Sequence, residues 1–347
     1  MANRAHPKEI LLGAQAASGL LPVCDHYCGV EARIVKSLAL QAQMAQDHGA
    51  CLFDVTLDCE DGAPVGAEAA HAVMVVDLLT QAHRPSGGAV KVPLRTATRV
   101  HPVDHPAFVQ DVQTIVGKAG QFLSHIMIPK VESTVDIELA VKTVDAAAMA
   151  AGISGRIPLH ALIESPAAVH NAFAIAAHPR VQSLSFGLMD YVSAHAGALP
   201  ASAMAATSKD GQLGQFEHPM VVRAKLEIAA ACHAAGKVPA HSVITEFSDT
   251  LAMQTAARRA AREFGFTRMW SIHPSQIQPI LDALAPTESE LDEAANIVKQ
   301  ADAANWAPIS FAGQLHDRAS YRYFWQVLEQ GRRTGRKLPA SANHYFS

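Results

Sequence analysis

Residues 157–163 read Ile-Pro-Leu-His-Ala-Leu-Ile, and this short apolar run ends directly before Glu164. A second run, Val-Gln-Ser-Leu-Ser-Phe at residues 181–186, leads through Gly187 to Asp190. Near-continuous apolar runs of about four to eight residues are typical of strands that are buried on both faces. The two runs therefore predict consecutive parallel strands, each with a carboxylate just beyond its end.

The same pattern repeats along the chain. We predict eight strands, at or within residues 20–24, 51–57, 89–101, 125–128, 157–163, 181–186, 237–243 and 268–272. Alanine-rich stretches with helical preference lie between them, for example residues 30–46, 135–151, 219–235 and 248–263. Strands that alternate with helices predict βαβ units and a parallel sheet, and eight such units predict an α/β fold, the (β/α)8 TIM barrel.

The length of the chain agrees with one barrel followed by an extension. Residues 20 to 273 span 253 positions (273 − 20), close to the roughly 250 residues that this fold usually has. The alternative, a doubly wound open sheet, usually has a Gly-rich phosphate turn after its first strand, whereas this chain has Cys24-Asp-His-Tyr-Cys-Gly29 there. After His273, 74 residues remain (347 − 273). We expect a barrel domain at residues 1–290 and a C-terminal helical tail at residues 291–347.

Composition excludes several classes of protein. Hydrophobic residues make up 49% of the chain, which is too many for an intrinsically disordered protein. The 28 Lys and Arg against 32 Asp and Glu give a net charge of −4, and no segment is basic enough to predict nucleic-acid binding. No apolar run approaches the ~20 residues of a membrane helix, and the N-terminus lacks a secretory signal, so we expect a cytoplasmic protein.

Ionisable side chains follow the carboxyl ends of the predicted strands, where TIM-barrel enzymes place their active sites. The groups at these ends are Asp25, Asp58, Glu60, Asp61, Arg99, Lys130, Glu132, Glu164, Asp190, His241 and His273. Polar loops alone are the alternative explanation. Because a charge follows a buried run at every strand, the set favours a functional site.

Glu164 and Asp190 should be neighbours at the mouth of the barrel, since they end consecutive strands. Two carboxylates with room for water are the ligands that Mg²⁺ prefers. The alternative for each is a loop carboxylate with a basic partner. Arg99 can bind an anionic substrate with two parallel N–H groups. A structural salt bridge from Arg99 to Asp58 or Glu60 is its alternative role and would not exclude substrate binding.

Six motifs together resemble the HpcH/HpaI aldolase and citrate lyase β-subunit-like (CitE-like) family of the phosphoenolpyruvate/pyruvate barrel superfamily. In family order they are Leu57-Asp-Cys-Glu-Asp-Gly62, Thr98-Arg-Val-His101, Ile128-Pro-Lys-Val-Glu132, Ala161-Leu-Ile-Glu-Ser165, Phe186-Gly-Leu-Met-Asp190 and Ile272-His-Pro-Ser-Gln-Ile277. Each motif is weak alone, but six in order over residues 50 to 300 are specific.

The resemblance implies a Mg²⁺-dependent carbon–carbon lyase, with Mn²⁺ as a possible substitute. Relatives cleave citryl-, malyl- or citramalyl-thioesters into an acyl thioester and a 2-oxo acid. By the family pattern, Glu164 and Asp190 bind the metal, Arg99 binds the oxo-acid portion, and the backbone from Gly187 to Asp190 faces its carboxylate. Asp58 and Glu60 orient Arg99 and support the metal site. The substrates would be a 2-oxo acid and an acyl-CoA.

The resemblance also gives the tail a role. In thioester-active relatives, an Asp beyond the barrel reaches the active site of a neighbouring subunit, and Gly313-Gln-Leu-His-Asp317 stands at the corresponding place. Asp317 is therefore the candidate acid/base, and its alternative role is an N-cap for a helix at residues 318–332. Family members are trimers or hexamers, so we expect a homotrimer or homohexamer with the tail as a shared lid.

Three functions remain open at this point. The first is a lyase for a 3-hydroxyacyl-CoA thioester, which the tail with Asp317 favours. The second is a class II pyruvate-type aldolase for a free 4-hydroxy-2-oxo acid. The segment Ala240-His-Ser-Val243 favours this function, because it lacks the Asp that often follows the seventh strand in the family. The third is a metabolite-binding subunit without catalysis, which the intact Arg99, Glu164 and Asp190 disfavour.

Overall fold

The computed structural model describes residues 6–13, 21–84 and 92–346. The described chain forms two compact units. Residues 22–283 form the barrel unit. Of the described residues, 6–13, 21 and 284–346 form the terminal unit.

The barrel unit is a closed barrel of parallel strands in sequential order, with β8 pairing back onto β1. In the described part of the chain its strands are β1 (Cys24–Cys28), β2 (Phe53–Asp58), β3 (Thr96–Arg99), β4 (Leu123–Ile128), β5 (Leu159–Ile163), β6 (Val181–Phe186), β7 (Val238–His241) and β8 (Arg268–Ser271). The predicted (β/α)8 fold is confirmed. Residues 20 and 89–91 of the predicted first and third strands lie outside the described residues.

Helices separate the strands as the alanine-rich stretches predict. The described helices are α1 (Pro7–Leu12), α2 (Glu31–His48), α3 (Glu68–Ala82), α4 (Phe108–Ala119), α5 (Thr134–Ala150), α6 (Pro166–His170), α7 (Ala172–Ala177), α8 (Leu188–Ser193), α9 (Pro219–Ala235), α10 (Thr250–Phe264), α11 (Ile277–Leu284), α12 (Glu288–Ala303) and α13 (Arg318–Arg333). Local signals set several ends: Ser133 begins α5 with a capping box, and Gly236 ends α9 in the left-handed conformation. Among the described residues, no helix is long and apolar enough to cross a membrane.

The first strand differs from its prediction. The sequence places it at residues 20–24 with Asp25 as the polar residue beyond its end, but β1 begins at Cys24 and Asp25 lies inside it. The reason is a buried ion pair: Arg268 Nη2 on β8 lies 2.5 Å from Asp25 Oδ2 and 2.6 Å from Asp54 Oδ2. A charge that is neutralised inside the barrel interrupts an apolar run without ending the strand.

Above this polar layer, towards the carboxyl ends of the strands, the barrel is filled by apolar side chains. The buried cluster there consists of Tyr27, Met127, Leu162, Ala240 and Trp270. The rings of Tyr27 and Trp270 stack with their centroids 4.3 Å apart. This layer closes the barrel below its mouth, so the polar residues that follow it face a cavity.

The terminal unit has a core of its own. It contains α12, α13 and an antiparallel hairpin of β9 (Ile309–Phe311) and β10 (Gln314–His316). Tyr321 and Trp325 of α13 are fully buried in its apolar core. The unit combines α1 near the N-terminus with the residues from Leu284 onwards, and residue 290 lies within α12. The expected division into residues 1–290 and 291–347 stays a prediction. The role of the tail as a shared lid stays a prediction.

Candidate active site

A cavity of about 400 Å³ lies at the carboxyl ends of the barrel strands. Its walls include both predicted metal ligands, Glu164 and Asp190, together with Arg99 and Gly187. The apolar side chains of Tyr27, Phe186, Val243 and Trp270 also line it. The structure therefore brings the four predicted ligand-binding residues to one cavity.

Arg99 is fixed by two carboxylates from the end of β2. Its Nε donates to Asp58 Oδ1 at 2.7 Å and its Nη2 to Asp58 Oδ2 at 2.5 Å, and its Nη1 forms an ion pair with Glu60 Oε2 at 2.9 Å. Although burial lowers the pKa of Arg99, Asp58 and Glu60 hold that pKa above its usual value, so the guanidinium stays charged. A guanidinium has five N–H donors. Asp58 takes the Nε hydrogen and one Nη2 hydrogen, and Glu60 takes one side of Nη1, which leaves the second hydrogens of Nη1 and Nη2 for an anion.

Asp58 is itself held by the backbone that follows it. Its Oδ1 accepts a hydrogen bond from Glu60 N at 3.0 Å, and its Oδ2 accepts one from Gly62 N at 2.9 Å. A Cβ at Gly62 would collide with the Asp58 carboxylate, so this turn requires glycine. Both Asp58 and Glu60 contact Arg99, in agreement with the orienting role that the resemblance implies.

Glu164 follows β5 and is 5% exposed. Its Oε2 accepts a hydrogen bond from the backbone N–H of Lys130 at 2.8 Å. A Cβ at Gly187 would collide with the Glu164 carboxylate, so the glycine leaves the room that this carboxylate occupies. Burial raises the pKa of Glu164 to about 8, the charge of Asp190 adds to this shift, and Arg99 opposes it. The charge of Asp190 thus opposes ionisation of the Glu164 carboxyl, and a cation bound between the two would favour it.

This donor set fits Mg²⁺. Glu164 and the half-buried Asp190 supply hard carboxylate oxygens beside a cavity large enough for water and substrate, which is the ligand environment that Mg²⁺ takes. A second group, Asp25, His125 and His160, brings possible ligand atoms within 4.8 Å of one another. It does not fit Mg²⁺, because it offers imidazole nitrogens and its carboxylate is already paired with Arg268.

Two charged residues of the site were not singled out as site residues by the sequence. Lys130 Nζ donates to Glu60 Oε1 at 2.5 Å, and Asp61 lines the cavity with its Oδ1 3.6 Å from Lys130 Nζ. Burial raises the pKa of Asp61 to about 6, and the neighbouring Glu60 adds to the shift. Both residues belong to motifs that the sequence contains, but only the folded barrel shows that the end of β4 contacts the end of β2.

Asp317 belongs to the terminal unit. It is the N-cap of α13, where its Oδ1 accepts a hydrogen bond from Ala319 N at 2.9 Å and its backbone N–H bonds Ser320 Oγ at 3.1 Å. The capping role is confirmed. The acid/base role of Asp317 stays a prediction.

Comparisons with known proteins agree with this site. The family model of the HpcH/HpaI aldolase/citrate lyase family matches residues 37–274. An L-malyl-CoA/beta-methylmalyl-CoA lyase from Cereibacter sphaeroides is 29% identical over 244 residues, which cover 67% of this chain and 75% of the relative. A malyl-CoA/beta-methylmalyl-CoA/citramalyl-CoA lyase from Chloroflexus aurantiacus is 27% identical over 263 residues, which cover 71% and 73%.

Solved structures are similar over the whole length. A citrate lyase from Burkholderia xenovorans is 44% identical, covers 99% of both chains and gives a TM-score of 0.79. The protein CitE from Mycobacterium tuberculosis, in complex with magnesium, acetoacetate and coenzyme A, is 20% identical with a TM-score of 0.62. It covers 89% of this chain and 98% of its own, and at this identity it supports the fold alone.

Proposed function

Because the chain belongs to the HpcH/HpaI aldolase/citrate lyase family, we propose that it is a Mg²⁺-dependent carbon–carbon lyase of 3-hydroxyacyl-CoA thioesters. Its substrate would be a thioester such as malyl-, citramalyl- or citryl-CoA, which it cleaves into an acyl-CoA and a 2-oxo acid. The relatives named as malyl-CoA and citramalyl-CoA lyases support this substrate class. The observation that carries the proposal is an arginine fixed by Asp58 and Glu60, beside two carboxylates in one cavity.

The reaction requires that a base remove the proton of the 3-hydroxyl group. As the carbon–oxygen double bond forms, the adjacent carbon–carbon bond breaks, and its electron pair passes to the thioester fragment as an enolate that is then protonated. Bound Mg²⁺ supplies Lewis-acid polarisation of the oxygen that becomes the 2-oxo group. Glu164 and Asp190 are the residues that would hold it.

Arg99 has the second task in this reaction. The one hydrogen that remains on each of Nη1 and Nη2 is directed by the contacts with Asp58 and Glu60, and these two hydrogens can bind the carboxylate and the developing oxo group of the 2-oxo acid portion. Both partners of Arg99 are buried, so they hold the guanidinium in one direction before substrate enters.

Asp317 is the proposed acid/base, contributed by a neighbouring subunit of a homotrimer or homohexamer. The proposal rests on the motif that the sequence shares with thioester-active relatives, and it requires the N-cap to be compatible with substrate contact. The cytoplasm is the proposed location, and Mn²⁺ is the proposed substitute for Mg²⁺.

A direct assay tests the substrate class. The purified protein is incubated with malyl-CoA, citramalyl-CoA or citryl-CoA in the presence of Mg²⁺, and the released 2-oxo acid is measured. We expect cleavage of at least one thioester, loss of turnover with EDTA and loss of turnover in Glu164→Gln. Glu227→Gln, at a half-buried position on α9 paired with Arg223, is the matched control and should retain activity.

A second candidate follows from the segment after β7. Ala240-His-Ser-Val243 lacks the acidic residue common there, and Ser242 and Val243 line the cavity instead. This difference favours a class II aldolase that cleaves a free 4-hydroxy-2-oxo acid to pyruvate and an aldehyde. Cleavage of such an acid, with all three thioesters left intact, would establish this candidate and exclude the thioester lyase.

A further inference from the structure

Lys130 occupies an unusual backbone conformation at the edge of the site. It follows β4 after Pro129 and has a φ of +52°, in the left-handed region that a residue with a Cβ rarely adopts. Such strain persists where surrounding contacts enforce it, and it is concentrated at functional sites. The connection of β4 to α5 alone does not explain why Lys130 has this conformation.

The strained backbone places two groups of one residue on two different partners. The Lys130 N–H donates to Glu164 Oε2 at 2.8 Å, and the Lys130 Nζ donates to Glu60 Oε1 at 2.5 Å. The other oxygen of Glu60 is the one that pairs with Arg99 Nη1 at 2.9 Å. Lys130 thus connects a proposed metal ligand to the partner of the proposed substrate-binding arginine.

The charges around the cavity indicate what the Lys130 ammonium contributes. The site holds five carboxylates, Asp58, Glu60, Asp61, Glu164 and Asp190, against three cations among the described lining and neighbouring groups, Arg33, Arg99 and Lys130. Mg²⁺ is attracted by this excess of negative charge, whereas a 2-oxo acid anion is repelled by it. Loss of the ammonium would make the site more negative and would release Glu60 from its position.

We propose that Lys130 is a positioning residue of the lyase reaction. Its ammonium holds Glu60 against Arg99 and keeps the site receptive to a 2-oxo acid anion, while its left-handed backbone directs an N–H group at Glu164. This inference rests on the proposed function, because it assigns a task within the binding of the oxo-acid portion. Two groups of Lys130 then have different effects. The side chain favours binding of the anion, and the backbone N–H positions the metal ligand Glu164.

Calorimetric binding measures both parts without turnover. Mg²⁺ is titrated into each protein, and then pyruvate, glyoxylate and oxaloacetate are each titrated at saturating Mg²⁺. For Lys130→Met we expect anion binding to weaken about tenfold or more, as for loss of a charge-assisted contact, and Mg²⁺ binding to stay equal or become tighter. Lys130→Arg should restore anion binding to within a few fold, and Lys142→Met, an exposed lysine on α5, is the matched control.

A second pair of variants tests the backbone. Lys130→Gly and Lys130→Val both lack the ammonium, but glycine adopts a positive φ freely and valine resists it. We expect Lys130→Gly to bind Mg²⁺ like Lys130→Met and Lys130→Val to bind it more weakly. Thermal unfolding of each variant establishes that the barrel is intact.

The binding results distinguish a positioning role of Lys130 from a purely structural one. Equal weakening of Mg²⁺ and anion binding in Lys130→Met would mean that the residue has only a structural role, and unchanged binding of both would mean that it has none in the site. Either result overturns the inference and leaves the proposed function standing. If the wild-type protein binds none of pyruvate, glyoxylate and oxaloacetate at saturating Mg²⁺, the proposed function fails first and the inference fails with it.

Discussion

At the scale of single residues, the planar shape of Arg99 matters as much as its charge. Asp58 binds the Nε and Nη2 edge, and Glu60 lies at Nη1, so three nitrogens of one plane meet two separate carboxylates. An ammonium is a compact point charge and cannot reproduce this arrangement. The site therefore uses two buried carboxylates to fix the direction of one guanidinium.

A conservative substitution tests this dependence on shape. In Arg99→Lys we expect kcat/KM to fall about a hundredfold or more, since a fixed bidentate donor to the developing charge is lost. Steady-state kinetics with the thioester that the protein cleaves measures the effect. Arg223→Lys, an exposed arginine paired with Glu227 on α9, should leave kcat/KM unchanged. Retention of full activity in Arg99→Lys would contradict the assigned role.

His26 makes the stability of the barrel dependent on pH. It is 1% exposed, and its Nδ1 bonds Ser271 Oγ at 2.9 Å, while Ser271 Oγ in turn donates to the carbonyl of His273. Burial lowers the pKa of His26 from 6.5 to about 4; Asp25 opposes this shift and His273 adds to it. The unfolded chain binds a proton at His26 between pH 6.5 and 4 and the folded chain does not, so this contribution to stability is present above pH 6.5 and is lost as pH falls towards 4.

Urea unfolding measures how the free energy of unfolding changes with pH. Between pH 7.5 and pH 5 the His26 contribution should decrease by about 2 kcal/mol. His26→Gln removes the titrating group, and its free energy of unfolding should fall less over the same range than that of the wild type. His160 and His241 are also buried, with pKa values lowered by burial, but they are present in both proteins. Identical pH profiles for the two proteins would show that His26 does not carry the effect.

At the scale of secondary-structure elements, the polar layer inside the barrel joins β1, β2 and β8. Arg268 Nη2 pairs with Asp25 and Asp54, its Nη1 donates to the carbonyl of Pro22 at 2.7 Å, and Arg95 Nε donates to the second oxygen of Asp54 at 2.6 Å. Although burial raises the pKa of Asp25, Arg268 and His125 hold that pKa well below its usual value. The closure of β8 onto β1 therefore has an ionic component.

Removing one partner of this network should destabilise the barrel strongly. In Arg268→Met we expect a loss of about 3–5 kcal/mol in the free energy of unfolding, because Asp25 remains as a buried charge without its cation. Asp25→Asn combined with Arg268→Met should recover a large part of the loss, since the uncompensated charge is gone and Asp54 still pairs with Arg95. Denaturant titrations of both variants measure the difference. If the double variant were no more stable than the single one, the loss would come from packing and not from charge.

The same elements show what the sequence could predict and what it could not. Strands β5 and β6 were found because their apolar runs end just before or close to Glu164 and Asp190, and parallel strands place such ends at one mouth. The sequence places β1 too early because a charge usually marks the end of a buried run. Asp25 is instead neutralised by Arg268, which lies 243 residues away in the sequence. The role of Lys130 depends on its positive φ and on its contact with Glu60. These two residues follow β4 and β2, which are not adjacent in the sheet. A lysine rarely adopts a positive φ, and nothing in the sequence near Lys130 indicates a contact with a residue 70 positions earlier.

At the scale of the whole molecule, Asp317 can serve as a helix cap and as an acid/base, and the two roles are separable by substitution. Asp317→Ser retains an N-cap side chain but loses the carboxylate, whereas Asp317→Ala loses both. We expect Asp317→Ser to lose about a hundredfold or more in kcat with an unchanged thermal midpoint. Asp317→Ala should lose the same activity and, in addition, about 1 kcal/mol of stability.

Mixing of two inactive variants then tests whether the carboxylate comes from another subunit. Arg99→Lys protomers have a defective barrel site and an intact Asp317, and Asp317→Ser protomers have the reverse. If the sites are shared between subunits, dissociation and reassembly of an equal mixture should restore activity in about one quarter of the sites, since a site needs an intact barrel and an intact neighbouring tail. The control is the same mixture without dissociation, which should stay inactive. If reassembly restores no activity although mixed oligomers form, each barrel uses its own Asp317 or none, and the proposed shared lid is wrong.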